Sequence, residues 1–405
     1  MRPAAEKKGG AEGGFVVVNF YGWHAFGEDV VEAAAEVRAC LRSADVRGRI
    51  YLSATGLNAQ YSGPYGDAVA YAEWVRAWVP PGADGPPFAD VRVSVQPLNE
   101  AAHAFPRLAV RVKGNLLPLA GGMDGLDLSK PERRAEELAP ADWEAKLRET
   151  AHLPPDDPRK PLVLDVRNAY EWDLGHFEGA ARPRVNEFRD TPVDAASFAD
   201  TGWDVDALVR MVEASNASTS ASPSPAPKRD VLMYCTGGIR CDAYSAALRA
   251  RGYDGSLYTL EGGVHNYFRK LGADERSWEG SLYVFDARGA VSSPRIGTVH
   301  GPLTEDGAVP AVADLPAAVP CEICGAAEAE TPHTNCALMD CNRHFLACSA
   351  CRARWGGCCS AACEEKGTLL NRLRPPLRAG NYRRMGQYNR ADGKPLVRLR
   401  ETAEG

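Results

Sequence analysis

The stretch Val231–Cys241 constrains this chain more than any other. Four residues, Val231 to Tyr234, read as a short apolar strand that ends on Cys235. Thr236, Gly237, Gly238 and Ile239 follow, and Arg240 opens a helical pattern that runs from Cys241 to Leu248. Glycines let the backbone curl so that successive N–H groups converge on one point, and the helix start behind them adds positive potential. A cysteine at such a turn is expected to be a low-pKa nucleophile. A lone cysteine at a strand end is more often an inert core residue. Cys235 together with Gly237, Gly238 and Arg240 favours the reactive reading.

The rest of the chain supplies a setting for that loop. Its 405 residues allow two or three domains, and 45% hydrophobic with 25% charged residues is a globular composition. A net charge of −6 means that affinity for nucleic acid must come from a local basic patch. No run of about 18 apolar residues occurs, so no membrane helix is expected. Residues 1–14 lack an apolar signal core, which argues for a cytoplasmic protein, with a chloroplast or other organelle left open.

Residues 14–120 predict a ferredoxin-like α+β domain in the order β-α-β-β-α-β-β. Its strands are expected at 15–23, 49–53, 55–63, 91–95 and 108–112. One helix covers 28–43 with Val30, Val31, Ala34, Val37 and Leu41 on one face. A second is capped by Asp67 and carries Val69, Trp74, Val75 and Trp78. This domain offers no catalytic cluster, and His24 and His103 read as ordinary histidines. A linker spans 121–139. A doubly wound α/β domain follows over 140–280, with a helix from Pro140 to Thr150 and a sheet expected to begin after Pro161. Residues 214–229, rich in Ser, Ala and Pro, read as a disordered insertion. Ligands of such folds bind at the carboxyl ends of the strands, where Asp165, Arg167, Cys235 and Glu261 fall. A strand at 282–286 and a linker occupy 281–320, a cysteine-rich module 321–365, and a basic tail 366–405.

Nine of the 12 cysteines lie between Cys321 and Cys363. Paired Cys-x2-Cys spacing inside a cell favours metal over disulfides. Two structural zinc sites are expected, one from Cys321, Cys324, Cys348 and Cys351, the other from Cys336, Cys341, Cys359 and Cys363. Cys358 is left over, and His344 is a substitute ligand. Residues 366–400 hold ten Lys/Arg against one acid, Asp392. Arg372, Arg374, Arg378, Arg383 and Arg384 with Tyr382, and Tyr388 beyond them, suit phosphate contact and base stacking in RNA.

The stretch from Leu164 to Ala180, including Asp165-Val166-Arg167 and Gly175-His176-Phe177, resembles the opening signature of rhodanese domains. The block Cys235-Thr236-Gly237-Gly238-Ile239-Arg240-Cys241 resembles one branch of them, the tRNA uridine-34 hydroxylase family, and Leu260 to Val264 resembles its next block. The likeness extends to the ferredoxin-like (acylphosphatase-like) part, to Phe285–Arg288 and to the cysteine module. It implies a tRNA-modifying enzyme that forms 5-hydroxyuridine with molecular oxygen. Two features depart from the bacterial pattern, the insertion and the polar run Val264-His265-Asn266-Tyr267.

Within this resemblance Cys235 is the active-centre cysteine and Thr236 to Arg240 cradle its anionic sulfur. Arg240 adds fixed charge, and Cys241 is either a resolving thiol or a packed one. Asp165 and Arg167 shape the loop by salt bridging, with Arg167 also in reach of an anionic substrate. His176 is expected to be a structural hydrogen-bonder. Only four residues separate Cys235 from Arg240, against five in cysteine phosphatase loops, so the cradle is too tight for phosphate. No flavin or nicotinamide glycine motif occurs, and His176 with Glu178 is a poor start for an iron site. The rivals are a sulfurtransferase that carries a persulfide on Cys235 for a sulfur donor and acceptor, and a non-enzymatic RNA-binding, redox-sensing module.

Overall fold

A computed structural model of the chain describes residues 14–98, 101–117, 126, 128–154, 157, 159–181, 188, 230–250, 255–286, 288–293, 321–326, 334–339, 341, 343–345, 347–370 and 373. The expected insertion 214–229 and nearly all of the basic tail lie outside them, although Lys366 to Leu369 close a helix. The described residues fall into two compact units, 14–293 and 321–373.

Alternation builds the first layer. In β1 (Phe15–Trp23), Val16, Val18 and Phe20 point one way and join a core with Ile50, Leu52, Leu57 and Tyr61. These belong to β2 (Arg47–Ser53) and β3 (Gly56–Pro64). The helices α1 (Val30–Cys40) and α2 (Tyr65–Ala77) cover that face. With β4 (Ser94–Pro97) and β5 (Leu108–Val112) the sheet order is β4-β1-β3-β2-β5. All neighbours are antiparallel except β2 and β5. This is the predicted ferredoxin-like arrangement.

Three local expectations change. Val31 is 66% exposed and Ala33 is buried in its place, because Val31 sits about 100° from Val30 around the helix. Asp67 does not cap α2, which starts at Tyr65 after Pro64; its carboxylate accepts from the Asp45 backbone N–H at 2.8 Å. Residues 91–93 stay outside β4, and the Val91 carbonyl accepts from the Arg76 guanidinium instead.

The second sheet is parallel, in the order β6-β10-β9-β7. Its strands are β6 (Glu136–Leu138), β7 (Leu162–Asp165), β9 (Val231–Tyr234) and β10 (Leu257–Leu260). The helices α3 (Pro140–Thr150), α4 (Ala169–Leu174), α5 (Ile239–Ala250) and α6 (Gly263–Leu271) alternate with them. The sheet therefore does not begin after Pro161. Its first strand lies in the expected linker, where Glu136 and Glu137 hide an edge strand that pairs on one side only. A three-stranded sheet joins β8 (Gly175–Phe177), β11 (Trp278–Tyr283) and β12 (Ala290–Ser292). The strand expected at 282–286 thus begins and ends earlier, and Asp286 leaves it to pair with Arg288 at 2.6 Å.

The second unit holds the hairpin β13 (Thr334–Asn335) and β14 (His344–Phe345) with α7 (Ser349–Arg354) and α8 (Ala361–Leu369). Its small core is mostly cysteine, with Leu338, Phe345 and Ala347. No helix of the described residues is long and apolar enough to cross a membrane.

Candidate active site and thiol clusters

Strand β9 is buried along its whole length, and it delivers Cys235 to the carboxyl end of the parallel sheet. Gly238 takes φ +103° and donates its N–H to the Cys235 Sγ at 3.0 Å. The second glycine turn, Gly262 and Gly263 ahead of α6, holds the loop from behind. The Val264 N–H donates to the Cys235 carbonyl at 3.1 Å, and the His265 N–H to the Thr236 carbonyl at 3.2 Å. A Cβ on Gly263 would lie 2.5 Å from the Thr236 carbonyl oxygen, so two glycine turns pack backbone to backbone here.

The electrostatics favour an anionic sulfur. Burial alone would push the Cys235 thiol up. The Cys241 thiol, the Arg240 guanidinium and the amides of Gly237 and Arg240 outweigh burial and bring it down to about 6. The Cys241 thiol moves the other way, raised by burial and by its hydrogen bond to Cys235. Both cysteines are free and fully buried. Cys235 thus lies beneath the surface, not at the open mouth of a loop.

Arg240 is held by a residue that the sequence reading missed. Its guanidinium grips Glu171 at 2.6 and 3.0 Å and donates to the Thr236 Oγ1 at 3.0 Å. Glu171 has no solvent exposure and accepts from the Asn168 backbone and side chain at 3.0 and 2.7 Å, closing a capping box at the start of α4. Burial pushes the Glu171 carboxyl up, but Arg240 and Arg167 hold it below the usual carboxylate range. The Asn168-x-x-Glu171 spacing marks Glu171 as a capping residue of α4 but does not tie it to Arg240.

Asp165 and Arg167 pair with each other at 2.6 Å, and Arg167 also donates to the Gly175 carbonyl at 2.6 Å. Both side chains have zero exposure. The expected reach of Arg167 to an anionic substrate finds no opening here: the guanidinium is sealed below the loop, with its Nη1 buried and without a hydrogen-bond partner among the described residues. His176 stacks on Trp172 at 3.7 Å between centroids, and its Nδ1 meets the Trp172 carbonyl at 3.0 Å.

The N-terminal sheet, expected to offer no catalytic cluster, comes down on this loop. Tyr21 and Trp23 of β1 donate to the Asp242 Oδ2 at 3.1 and 2.7 Å, and Arg134 meets the same oxygen at 2.8 Å. Burial still raises the Asp242 carboxyl against these partners. Gln96 meets the His265 Nδ1 at 2.7 Å and accepts from Arg288 at 2.9 Å. Arg92 bridges Glu137 and Glu261 at 3.0 Å each. The strand alternation already put Tyr21 and Trp23 on the sheet face away from the helices, but nothing in sequence spacing ties them to Asp242.

In the second unit the thiols gather in two groups of four, Cys321, Cys324, Cys348, Cys351 and Cys336, Cys341, Cys359, Cys363, each with its sulfurs within 4.8 Å of one another. The sulfur pairs Cys324–Cys348, Cys341–Cys359 and Cys359–Cys363 lie 3.9, 3.7 and 3.7 Å apart. A tetrahedron with metal–sulfur bonds of about 2.3 Å has edges of about 3.8 Å, so each group could hold a metal ion. Cys358 is buried outside both groups. The side chain of His344 and residues Arg372, Arg374, Arg378, Tyr382, Arg383, Arg384 and Tyr388 lie outside the described part.

Residues 15–116 match the family described as UPF0176 acylphosphatase like domain, 149–270 the rhodanese-like domain, and 279–364 the rhodanase C-terminal family. The chain is 38% identical over 377 residues to a protein of Arabidopsis thaliana named rhodanese-like domain-containing protein 8, chloroplastic, covering 90% of this chain and 77% of that one. It is 34% identical over 334 residues to a Chlamydia muridarum protein named tRNA uridine(34) hydroxylase, covering 82% of each. A Chlamydia abortus protein of the same name is 35% identical over 324 residues, covering 79% of this chain and 78% of that one.

Proposed function

This chain belongs to the tRNA uridine(34) hydroxylase family, and we propose that it is an enzyme that places a hydroxyl group on C5 of uridine 34 in the tRNA anticodon, with molecular oxygen as cosubstrate and Cys235 in its active centre. The observation that carries the role of Cys235 is its seat in the glycine turn, where the Gly238 N–H donates to its Sγ at 3.0 Å; the donors there and Arg240 bring the thiol down to about 6, which favours the thiolate at neutral pH. Thr236, Gly237, Gly238, Ile239 and Arg240 form the cradle. Glu171 orients Arg240, and the buried Asp165–Arg167 pair braces the strand end beneath.

Inserting one atom of O2 into a C–H bond and reducing the other to water takes two electrons and two protons. Oxidising the Cys235 thiolate and the Cys241 thiol to a disulfide releases two electrons and one proton, and the second proton comes from solvent. Cys241 hydrogen-bonds Cys235, and this contact supports the pair as the electron source, with a thiol reductant resetting it between turnovers. The two tetrathiolate groups fit zinc, which would staple a unit whose apolar core is small.

The test is incubation of the full chain with unmodified tRNA, a thiol reductant and air, followed by nucleoside mass spectrometry. A nucleoside heavier than uridine by one oxygen atom at position 34 is the expected product. It should be absent without oxygen and absent with Cys235→Ala. Product formation by Cys235→Ala would sink the role of Cys235. Thiosulfate-to-cyanide sulfur transfer without any nucleoside change would replace the reading with a sulfurtransferase.

A further inference from the structure

One face of the N-terminal sheet is covered by α1 and α2, and the other carries a different chemistry. Residues that pair across strands share a face. Asn19 pairs with Gln60, Gln60 with Arg49, and Arg49 with Ala109. One step along, Tyr21 pairs with Asn58, Asn58 with Tyr51, and Tyr51 with Arg111. These two rows alternate with Val18, Phe20, Ile50 and Leu52, which point into the helix-covered core. Neither row contains an acid, in a chain whose net charge is −6.

The second row begins at the reactive loop. The Tyr21 hydroxyl would lie 2.8 Å from a Cβ on Gly238, and it donates to Asp242, the residue after Cys241. From there the row crosses β3 and β2 to β5, about 14 Å at three strand spacings. It passes half-buried Asn58 and Tyr51 and ends at exposed Arg111. The Nζ of exposed Lys113 lies 5.0 Å from the centroid of the Tyr51 ring. A ring beside a cation offers a surface for a base and a partner for its phosphate. In the row above, Arg49 adds a second guanidinium, 5.8 Å from the Phe105 centroid.

We propose that this face of the N-terminal sheet, centred on Arg49, Tyr51, Arg111 and Lys113, docks the unpaired nucleotides of the anticodon loop that flank the target uridine. The inference rests on the hydroxylase reading for the identity of the RNA. The surface chemistry itself asks only for a single strand, through base stacking on a sheet aromatic and phosphate contact with nearby cations. A folded duplex is a poor fit, because its bases are not free to stack on Tyr51.

The test measures binding without turnover. Full-length chain is titrated with a transcribed tRNA and with a short unpaired RNA of anticodon-loop sequence, across a range of KCl concentrations. Replacing both Arg111 and Lys113 by Ala should lower the slope of log K against log salt by about 1.4, two single-strand phosphate contacts. Tyr51→Ala should weaken binding by about 5- to 150-fold at fixed salt. Thermal melting checks that each variant is folded. Should Tyr51→Ala fail that check, the exposed double variant still decides. Binding of the double variant with the wild-type slope and affinity would overturn the proposal. So would loss of binding only on removal of residues 371–405. Weakened binding by these variants in a chain that makes no hydroxylated nucleoside would uphold the surface while removing the reaction.

Discussion

The Cys235 sulfur and the charge beside it obey different controls. Cys235 ionises at about 6 although it is buried, because short-range donors outweigh desolvation. Ultraviolet thiolate absorbance, taken as wild type minus Cys235→Ser, should therefore titrate with a midpoint near 6. Cys241→Ala removes the neighbouring S–H donor and should move that midpoint upward; an unchanged midpoint would show that Arg240 and the amides set it without Cys241. The same shift has a stability signature. A thiol lowered from 9.0 to about 6 on folding stabilises fully above the unfolded value and loses that contribution as pH falls through about 6. The difference in urea midpoint between wild type and Cys235→Ser should shrink over that window. Spacing placed Arg240 as a fixed charge next to the loop but did not say what fixes it. Its partner Glu171 stands 69 residues away in sequence, and such a pairing cannot be read from a motif. Glu171→Gln leaves a buried guanidinium with a neutral partner. It should cost about 3–5 kcal/mol in urea unfolding, the usual penalty for breaking a buried pair from one side.

At the scale of elements, the glycines of the turn are not equivalent. At Gly238, φ is +103° and a Cβ would lie 2.8 Å from the Tyr21 hydroxyl, whereas a Cβ on Gly237 would meet nothing within 4 Å. Gly238→Ala should destabilise by about 1–3 kcal/mol, the cost of an L-residue in that conformation, and Gly237→Ala should leave the melting temperature close to wild type. Equal melting of the two variants would mean that the loop does not depend on its left-handed residue. The buried strands β7, β9 and β10 were legible because a strand covered on both faces must be apolar throughout. β6 was not, since an edge strand with exposed glutamates carries no such pattern; only its pairing with β10 reveals it. Asp67 is a similar case: its side chain suited a cap, but the chain had already entered the helix at Tyr65.

For the whole molecule, the two units rest on different physics. Unit 14–293 has large apolar cores built from sheets and helices. Unit 321–373 buries mostly cysteine, and two ions bound by eight thiolates would supply much of its folding energy. Metal analysis of the purified chain should find about two zinc ions, one for each tetrathiolate group. Chelation should abolish one calorimetric transition and leave the other. A chain without zinc that keeps both transitions would show that the thiols are held by packing alone.

The chain by itself determined the order of domains, the glycine turn after Cys235 and the grouping of eight cysteines, because each is written in local spacing. A strand, a glycine turn and a helix are neighbours in sequence, and close Cys pairs have few ways to meet. Only the tertiary structure decided that Glu171 would hold Arg240, that Arg167 would be sealed away with Asp165, and that Tyr21 and Trp23 would close over the loop. The contacts of Glu171 with Arg240 and of Tyr21 and Trp23 with Asp242 join residues far apart in the chain, and burial gives them their force: inside, each charge needs a partner, which local sequence spacing did not name there.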